Sequence, residues 1–204
     1  MISLTYRTAQ ILSFLYLKIF HRLETYGLDN IPSTGSFILA SNHLSFIDPP
    51  ALGCRVHRNL HYFARDSLFF GPLGFLIRKL NSIPVNRDQL DLKTLKHKIS
   101  VLKAGNPLLV FPEGTRSRDG NLSDAKKGIG LLIKKAKCDV LPVYIDGSFE
   151  ILGKGKCFPR LGKKLKIYYG EIITYKSLAE RGDLSHQEIS DFVLGEIGRL
   201  KQEI

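Results

Sequence analysis

Apolar residues recur along this chain in two kinds of pattern, and their alternation predicts the architecture. Short, nearly continuous apolar runs fall near 37–40, 60–64, 82–85, 107–111, 139–145 and 165–169. Runs of that length, closed by Gly, Pro, Asn or Asp, read as buried strands. Between and after them, helical periodicity appears near 50–56, 66–80, 89–104, 124–137 and 186–203. In the 124–137 stretch Ile129, Leu132 and Ile133 form one apolar stripe, and the last helix opens on a Ser185/Glu188 capping box. Strands alternating with helices predict an α/β fold: one domain, with a mixed and mostly parallel sheet flanked by helices and its active residues at strand ends.

A different pattern marks the N-terminus. From Ile11 to Phe20 only Ser13 and Lys18 interrupt an apolar stretch, about half of the roughly twenty residues a spanning helix needs. No small-residue cleavage site follows, only His21-Arg22-Leu23-Glu24, which argues against a secretory signal. Residues 1–26 are therefore expected to be a short membrane-associating segment lying in one leaflet, with Tyr6, Phe14, Tyr16 and Phe20 at the headgroup boundary, ahead of a catalytic domain at 27–204. The competing reading is a buried core helix. The chain is 44% apolar with no repeat or low-complexity tract, which suits one compact unit.

Candidate chemistry begins where the first strand ends. His43 and Asp48 follow the run Phe37 to Ala40, and Asp48-Pro49-Pro50 reads as a helix start, so the pair should lie across a turn. A neutral imidazole can take a proton from a hydroxyl near pH 7 while a carboxylate on its other nitrogen sets the tautomer. This is part of a catalytic triad without its serine, and it suits an enzyme whose nucleophile is the substrate's own hydroxyl. The same spacing recurs at His61/Asp66 and His186/Asp191. The last pair lies within a helix, on different faces, and Asp66 looks like a helix cap. A second polar turn, Pro112-Glu113-Gly114-Thr115-Arg116-Ser117-Arg118, follows the strand near 107–111. Its arginines fit phosphate oxygens, its hydroxyls add donors, and Glu113 could orient an Arg or accept from a glycerol hydroxyl. A plain surface turn is the alternative.

Together these segments resemble the glycerolipid acyltransferase family, and within it the small bacterial members that act on 1-acylglycerol 3-phosphate. The first family block is similar to Asn42 through Asp48, the second to Gly74-Phe75-Leu76 through Ile83-Pro84-Val85-Asn86-Arg87, the third to Phe111 through Ser117, and the fourth to Val140 through Ile145. Lys126-Lys127-Gly128 matches a basic step between the third and fourth blocks. Asn86 stands where the family commonly has Asp, and Ala125 where it commonly has Phe. The resemblance implies that His43 is the general base and Asp48 its orienting partner. It assigns acceptor binding to Arg87, Glu113, Gly114, Thr115 and Arg116, with Lys127 as a further candidate. It also implies transfer of an acyl group from acyl-CoA or acyl-ACP to the sn-2 hydroxyl of 1-acylglycerol 3-phosphate, giving phosphatidic acid, with no cofactor beyond the donor. Another acceptor, a lysophospholipid hydrolase and a non-catalytic lipid-binding module remain alternatives. The sequence does not identify the group that stabilises the developing oxyanion; a backbone N–H near the helix start after Asp48 is one candidate.

Charge and cysteine usage narrow the partners. Of the net +11, residues 126–166 carry eleven basic and three acidic groups, which suits an anionic membrane surface and phosphorylated substrates. No zinc-finger spacing, RNA-binding strand signature or strong basic recognition helix accompanies it, which argues against nucleic acid. Cys54, Cys138 and Cys157 show no paired spacing, so reduced thiols, no metal and the cytoplasmic face of a membrane are expected.

Overall fold

The computed structural model describes residues 3–85 and 92–203. Its sheet has five strands, β1 (Glu24–Tyr26), β2 (Phe37–Ser41), β5 (Leu108–Val110), β6 (Asp139–Asp146) and β7 (Lys166–Tyr169), in the order β1-β7-β6-β2-β5. The central strand β2 is parallel to both β5 and β6, β1 is parallel to β7, and only β6–β7 is antiparallel. A parallel pair, β3 (Tyr62–Arg65) and β4 (Ser82–Val85), adjoins β5 through a single bridge between His61 and Leu108. The fold is thus mixed α/β with a mostly parallel sheet.

Every residue of β2 is buried, so its side chains feed two cores. Phe37 and Leu39 pack on one face with Ala51 and Leu52 of α2 (Asp48–Gly53) and Leu17 of α1 (Leu4–His21). Ile38 and Ala40 pack on the other with Leu102 of α4 (Leu92–Lys103), Leu132 and Ile133 of α5 (Gly128–Ala136), and Val193 and Ile197 of α8 (His186–Leu200). Helix α3 (Gly71–Lys79) lies between β3 and β4, and α6 (Ser148–Leu152) and α7 (Tyr175–Ala179) are single short turns.

Three short elements have no counterpart in the hydrophobic pattern. β1 has three residues, and α6 and α7 have five each, too few for a period to show. β1 nevertheless belongs to the sheet, which therefore begins inside the segment set aside above as membrane-associating.

α1 runs longer than the apolar stretch, with Leu17 in the core and much of its apolar surface exposed. Ser3 caps it, and one side docks through polar contacts. Gln10 donates to the carbonyls of Gly53 and Val56, at 2.9 and 2.7 Å, and the Tyr6 hydroxyl lies 3.0 Å from that of Tyr62 while accepting the Leu60 N–H. Burial raises the pKa of both tyrosines, most strongly Tyr62. The opposite side leaves Leu4, Ile11, Leu12, Leu15 and Ile19 exposed. Among the described residues no helix is long and apolar enough to cross a membrane.

Gly147 joins β6 to α6 with φ +83, and a Cβ there would lie 2.0 Å from the Lys164 carbonyl oxygen. Gly155 shares the sign of φ but faces open space. Left-handed backbone alone costs a residue with a Cβ about 1–2 kcal/mol. Gly147→Ala should therefore lower the urea-unfolding free energy clearly more than Gly155→Ala. Equal losses would show that the close approach to Lys164 is unimportant.

Candidate active site

The parallel strands β2 and β5 end side by side, so the two polar turns that follow them meet at one edge of the sheet. The seam begins with Asn42. β2 leaves the sheet after Ser41 while β6 continues, and the Asn42 amide takes the place of the missing strand. Its Nδ2 donates to the Ile145 carbonyl at 2.9 Å and its Oδ1 accepts the Ile145 N–H at 2.8 Å. The main chain is thereby released to make the His43 turn without orphaning β6.

Within that turn, His43 Nδ1 lies 2.8 Å from Asp48 Oδ2. The same oxygen accepts the backbone N–H groups of Leu44 and Ser45, each at 2.7 Å. Asp48 is fully buried and His43 is 7% exposed. Asp48 is thus not the N-cap; Ile47 occupies that position, and the carboxylate folds back over the turn instead. A carboxylate on Nδ1 places the ring proton there and leaves the Nε2 lone pair as a proton acceptor. Phe111 stacks on the imidazole, centroids 3.8 Å apart and planes 8° from parallel, so the ring is held on a face as well as at an edge.

The second turn grips the first by its backbone. Glu113, 1% exposed, accepts the His43 N–H at 2.9 Å through Oε1 and the Ser123 N–H at 3.0 Å through Oε2. The Ser117 N–H donates to the His43 carbonyl at 2.8 Å. The Arg116 guanidinium lies 3.5 Å from the centre of the Phe46 ring, inside the His43–Asp48 turn. Gly114 has φ +69, and a Cβ there would stand 3.1 Å from Cδ of Lys126.

These contacts place the candidate residues unequally. His43, Asp48, Glu113, Gly114 and Arg116 form one cluster. Glu113 is a buried brace with both oxygens on backbone donors. Thr115 is exposed on the same turn. Lys127 is an exposed residue at the start of α5, and it is Lys126 that lies along Gly114. Arg87 and Asn86 lie outside the described residues. At the helix start residues 49 and 50 are prolines, the Asp48 N–H reaches the Ser45 carbonyl and the Ala51 N–H reaches the Ile47 carbonyl. The other His/Asp spacings do not pair. His61 Nδ1 bonds the Asn59 carbonyl, Asp66 accepts its neighbour's N–H, and Asp191 accepts from Gln187.

Among the described residues no Ser, Thr or Cys side chain bonds the His43 ring, and the Ser45 and Ser117 hydroxyls donate to the Leu152 carbonyl and to Asp119. Burial pushes the thiols of Cys54 and Cys138 up to about 12, and all three cysteines are unbridged. Among the described residues no group of three or more His, Cys, Asp or Glu gathers to hold a metal. An open cavity of about 290 Å³ beneath α1, lined by Phe14, Lys18, Glu24 and Arg55 among others, shares no residue with the site.

A buried His–Asp pair at parallel strand ends is braced by a Glu-Gly-Thr-Arg turn, and no serine of the described residues bonds its imidazole. The chain belongs to the acyltransferase family, whose sequence profile matches residues 22–146. It is 25% identical to the 1-acyl-sn-glycerol-3-phosphate acyltransferase of Bacillus subtilis, over 83% of this chain and 87% of that one. It is 30% identical to a chloroplast 1-acyl-sn-glycerol-3-phosphate acyltransferase of Arabidopsis thaliana, over 67% of this chain but only 39% of that longer protein. The crystal structure of the 1-acyl-sn-glycerophosphate acyltransferase of Thermotoga maritima superposes with a TM-score of 0.80 at 28% identity, covering 97% of this chain and 77% of that one.

Asn42→Ala should leave the Ile145 N–H and carbonyl buried without partners. At roughly 1–3 kcal/mol for each unsatisfied group, urea unfolding should report a loss of about 2–6 kcal/mol. A loss below about 0.5 kcal/mol would mean that the Asn42 amide does not hold the seam.

Proposed function

We propose that the protein transfers a fatty acyl group from acyl-CoA or acyl-ACP to the sn-2 hydroxyl of 1-acylglycerol 3-phosphate, giving phosphatidic acid. The observation that carries this reading is the buried His43–Asp48 pair, with no hydroxyl or thiol of the described residues bonded to the ring. Nε2 of His43 takes the proton of the acceptor hydroxyl as its oxygen attacks the thioester carbonyl. The tetrahedral adduct collapses with cleavage of the C–S bond, and the imidazolium returns the proton to the departing thiolate. Asp48 stabilises the imidazolium throughout. Arg116, with Arg87 and the Lys126/Lys127 pair as further cations, receives the acceptor phosphate. Fixing the phosphate positions the hydroxyl and makes the attack effectively unimolecular.

The acceptor and product are lipids, which gives a role to the exposed apolar side of α1: it rests in the interface of the leaflet facing the donor, on the cytoplasmic side. Because the other side of α1 is docked through Gln10 and Tyr6, the helix fixes the domain against the surface rather than tethering it loosely.

The test is an acceptor panel with both donors, read by lipid mass spectrometry, with free fatty acid as the sign of hydrolysis. His43→Ala should lower transfer by about 10²- to 10⁴-fold, while His61→Ala stays within about twofold of wild type. Arg116→Ala should raise KM for the phosphate-bearing acceptor by roughly ten- to a hundredfold, the equivalent of a charge-assisted bond worth about 1.5–3 kcal/mol, and leave the donor KM nearly unchanged. Full activity in His43→Ala, or fatty acid release as the main product, would overturn the reading.

A further inference from the structure

We infer that residues 153–164 form a second membrane contact, a basic loop that sets Phe158 and Leu161 into the interface of an anionic bilayer beside α1. The loop carries Lys154, Lys156, Arg160, Lys163 and Lys164 and no acidic residue. Phe158 is 83% exposed and Leu161 59%. Single exposed apolar residues are ordinary, but two of them three positions apart among five cations combine the two forces that hold a protein at a charged lipid surface. The apolar side chains enter the headgroup boundary and the cations meet the surface potential. Lys164 is engaged by Glu24 at 2.7 Å, and Lys156 donates to the Phe149 carbonyl, which leaves Lys154, Arg160 and Lys163 as the main electrostatic contribution.

The loop is built to hold this presentation. The Arg160 N–H donates to the Ile151 carbonyl, and the N–H groups of Gly162 and Leu165 donate to the carbonyls of Phe20 and His21, each at 2.9 Å. These last two bonds join the loop to the end of α1, where Ile19 and Phe20 are exposed. The apolar side of α1 and the loop tip therefore form neighbouring parts of one surface. This continuity favours a bilayer over an acidic protein, which would match the cations and leave the apolar side of α1 uncovered.

The same loop starts at the active site. Gly153 bridges Ser45, and the Ser45 hydroxyl donates to the Leu152 carbonyl at 2.7 Å. Ser45 is one of the residues whose N–H holds Asp48. Two separated contacts, α1 and the loop, fix not only attachment but the tilt of the catalytic turn relative to the lipid. This deepens the lipid-acceptor reading and rests on it for its purpose, though not for its test.

The chain has no Trp, so Phe158→Trp introduces its sole indole. With phosphatidylglycerol vesicles the emission should shift to the blue and be quenched by lipids brominated on the upper acyl chain. Replacing Lys154, Arg160 and Lys163 together by Gln should weaken binding to those vesicles on the order of a hundredfold, at about fivefold per charge. Binding to neutral phosphatidylcholine vesicles should change little. Neither signal requires turnover, so failure of the acyl-transfer reading would leave both in place. An unshifted indole on vesicles that still sediment the protein would overturn the inference. So would a triple variant that keeps its vesicle affinity, and if that variant instead loses affinity for an acidic acyl carrier protein, the loop is a donor dock.

Discussion

The carboxylate of Asp48 is the point on which the site depends. One of its oxygens gathers the imidazole of His43 and the N–H groups of Leu44 and Ser45, so a single buried charge sets the ring tautomer and the backbone of the turn together. Its other oxygen, Oδ1, is buried with no hydrogen-bond partner among the described residues, so the three donors gathered on Oδ2 are what offset the cost of burying the carboxylate. The turn has little choice of shape once Asp48 is in place, because Pro49 and Pro50 start α2 immediately behind it and α2 packs its Ala51 and Leu52 into the core under β2. The His43–Asp48 geometry is thus anchored in the hydrophobic core through α2.

The second constraint is the seam between the two strand ends. Asn42 carries the sheet past the point where β2 departs, and Glu113 reaches back from β5 to hold the His43 N–H while Ser117 holds its carbonyl. The Glu-Gly-Thr-Arg turn and the His43–Asp48 turn are therefore one structure. Arg116 is positioned against the His43 turn both by the backbone hydrogen bonds of its own turn and by its guanidinium over Phe46. That arrangement suits a reaction in which the protein supplies a base and a clamp and the substrate supplies the nucleophile.

Much of this was legible in the sequence where signals were long or chemically specific. The buried runs of β2, β5 and β6 and the striped helices α5 and α8 follow from hydrophobic pattern, and the His43–Asp48 pairing follows from a strand end set against a proline-started helix. The elements that escaped are short: β1, α6 and α7 take their stability from neighbours, not from a period of their own. Roles within the site were harder still. Glu113 reads as an exposed acid beside arginines, yet it is buried against backbone, and nothing in its neighbours announces that. Asn42 at a strand end and Phe111 at another carry signals only in retrospect of the register that sets them beside β6 and His43. Lys126 and Lys127 are indistinguishable in sequence, and only the packing against Gly114 separates them.

The central claim is that the protein contributes a base and no nucleophile, so acyl transfer passes through one ternary complex. Intact-protein mass spectrometry tests it most directly, with wild-type protein mixed with saturating acyl donor in the absence of acceptor and quenched on the millisecond scale. The account predicts an unmodified mass at every time point, with product formed only once acceptor is added. A stoichiometric acyl adduct that forms before acceptor is present and disappears when acceptor is added would contradict it.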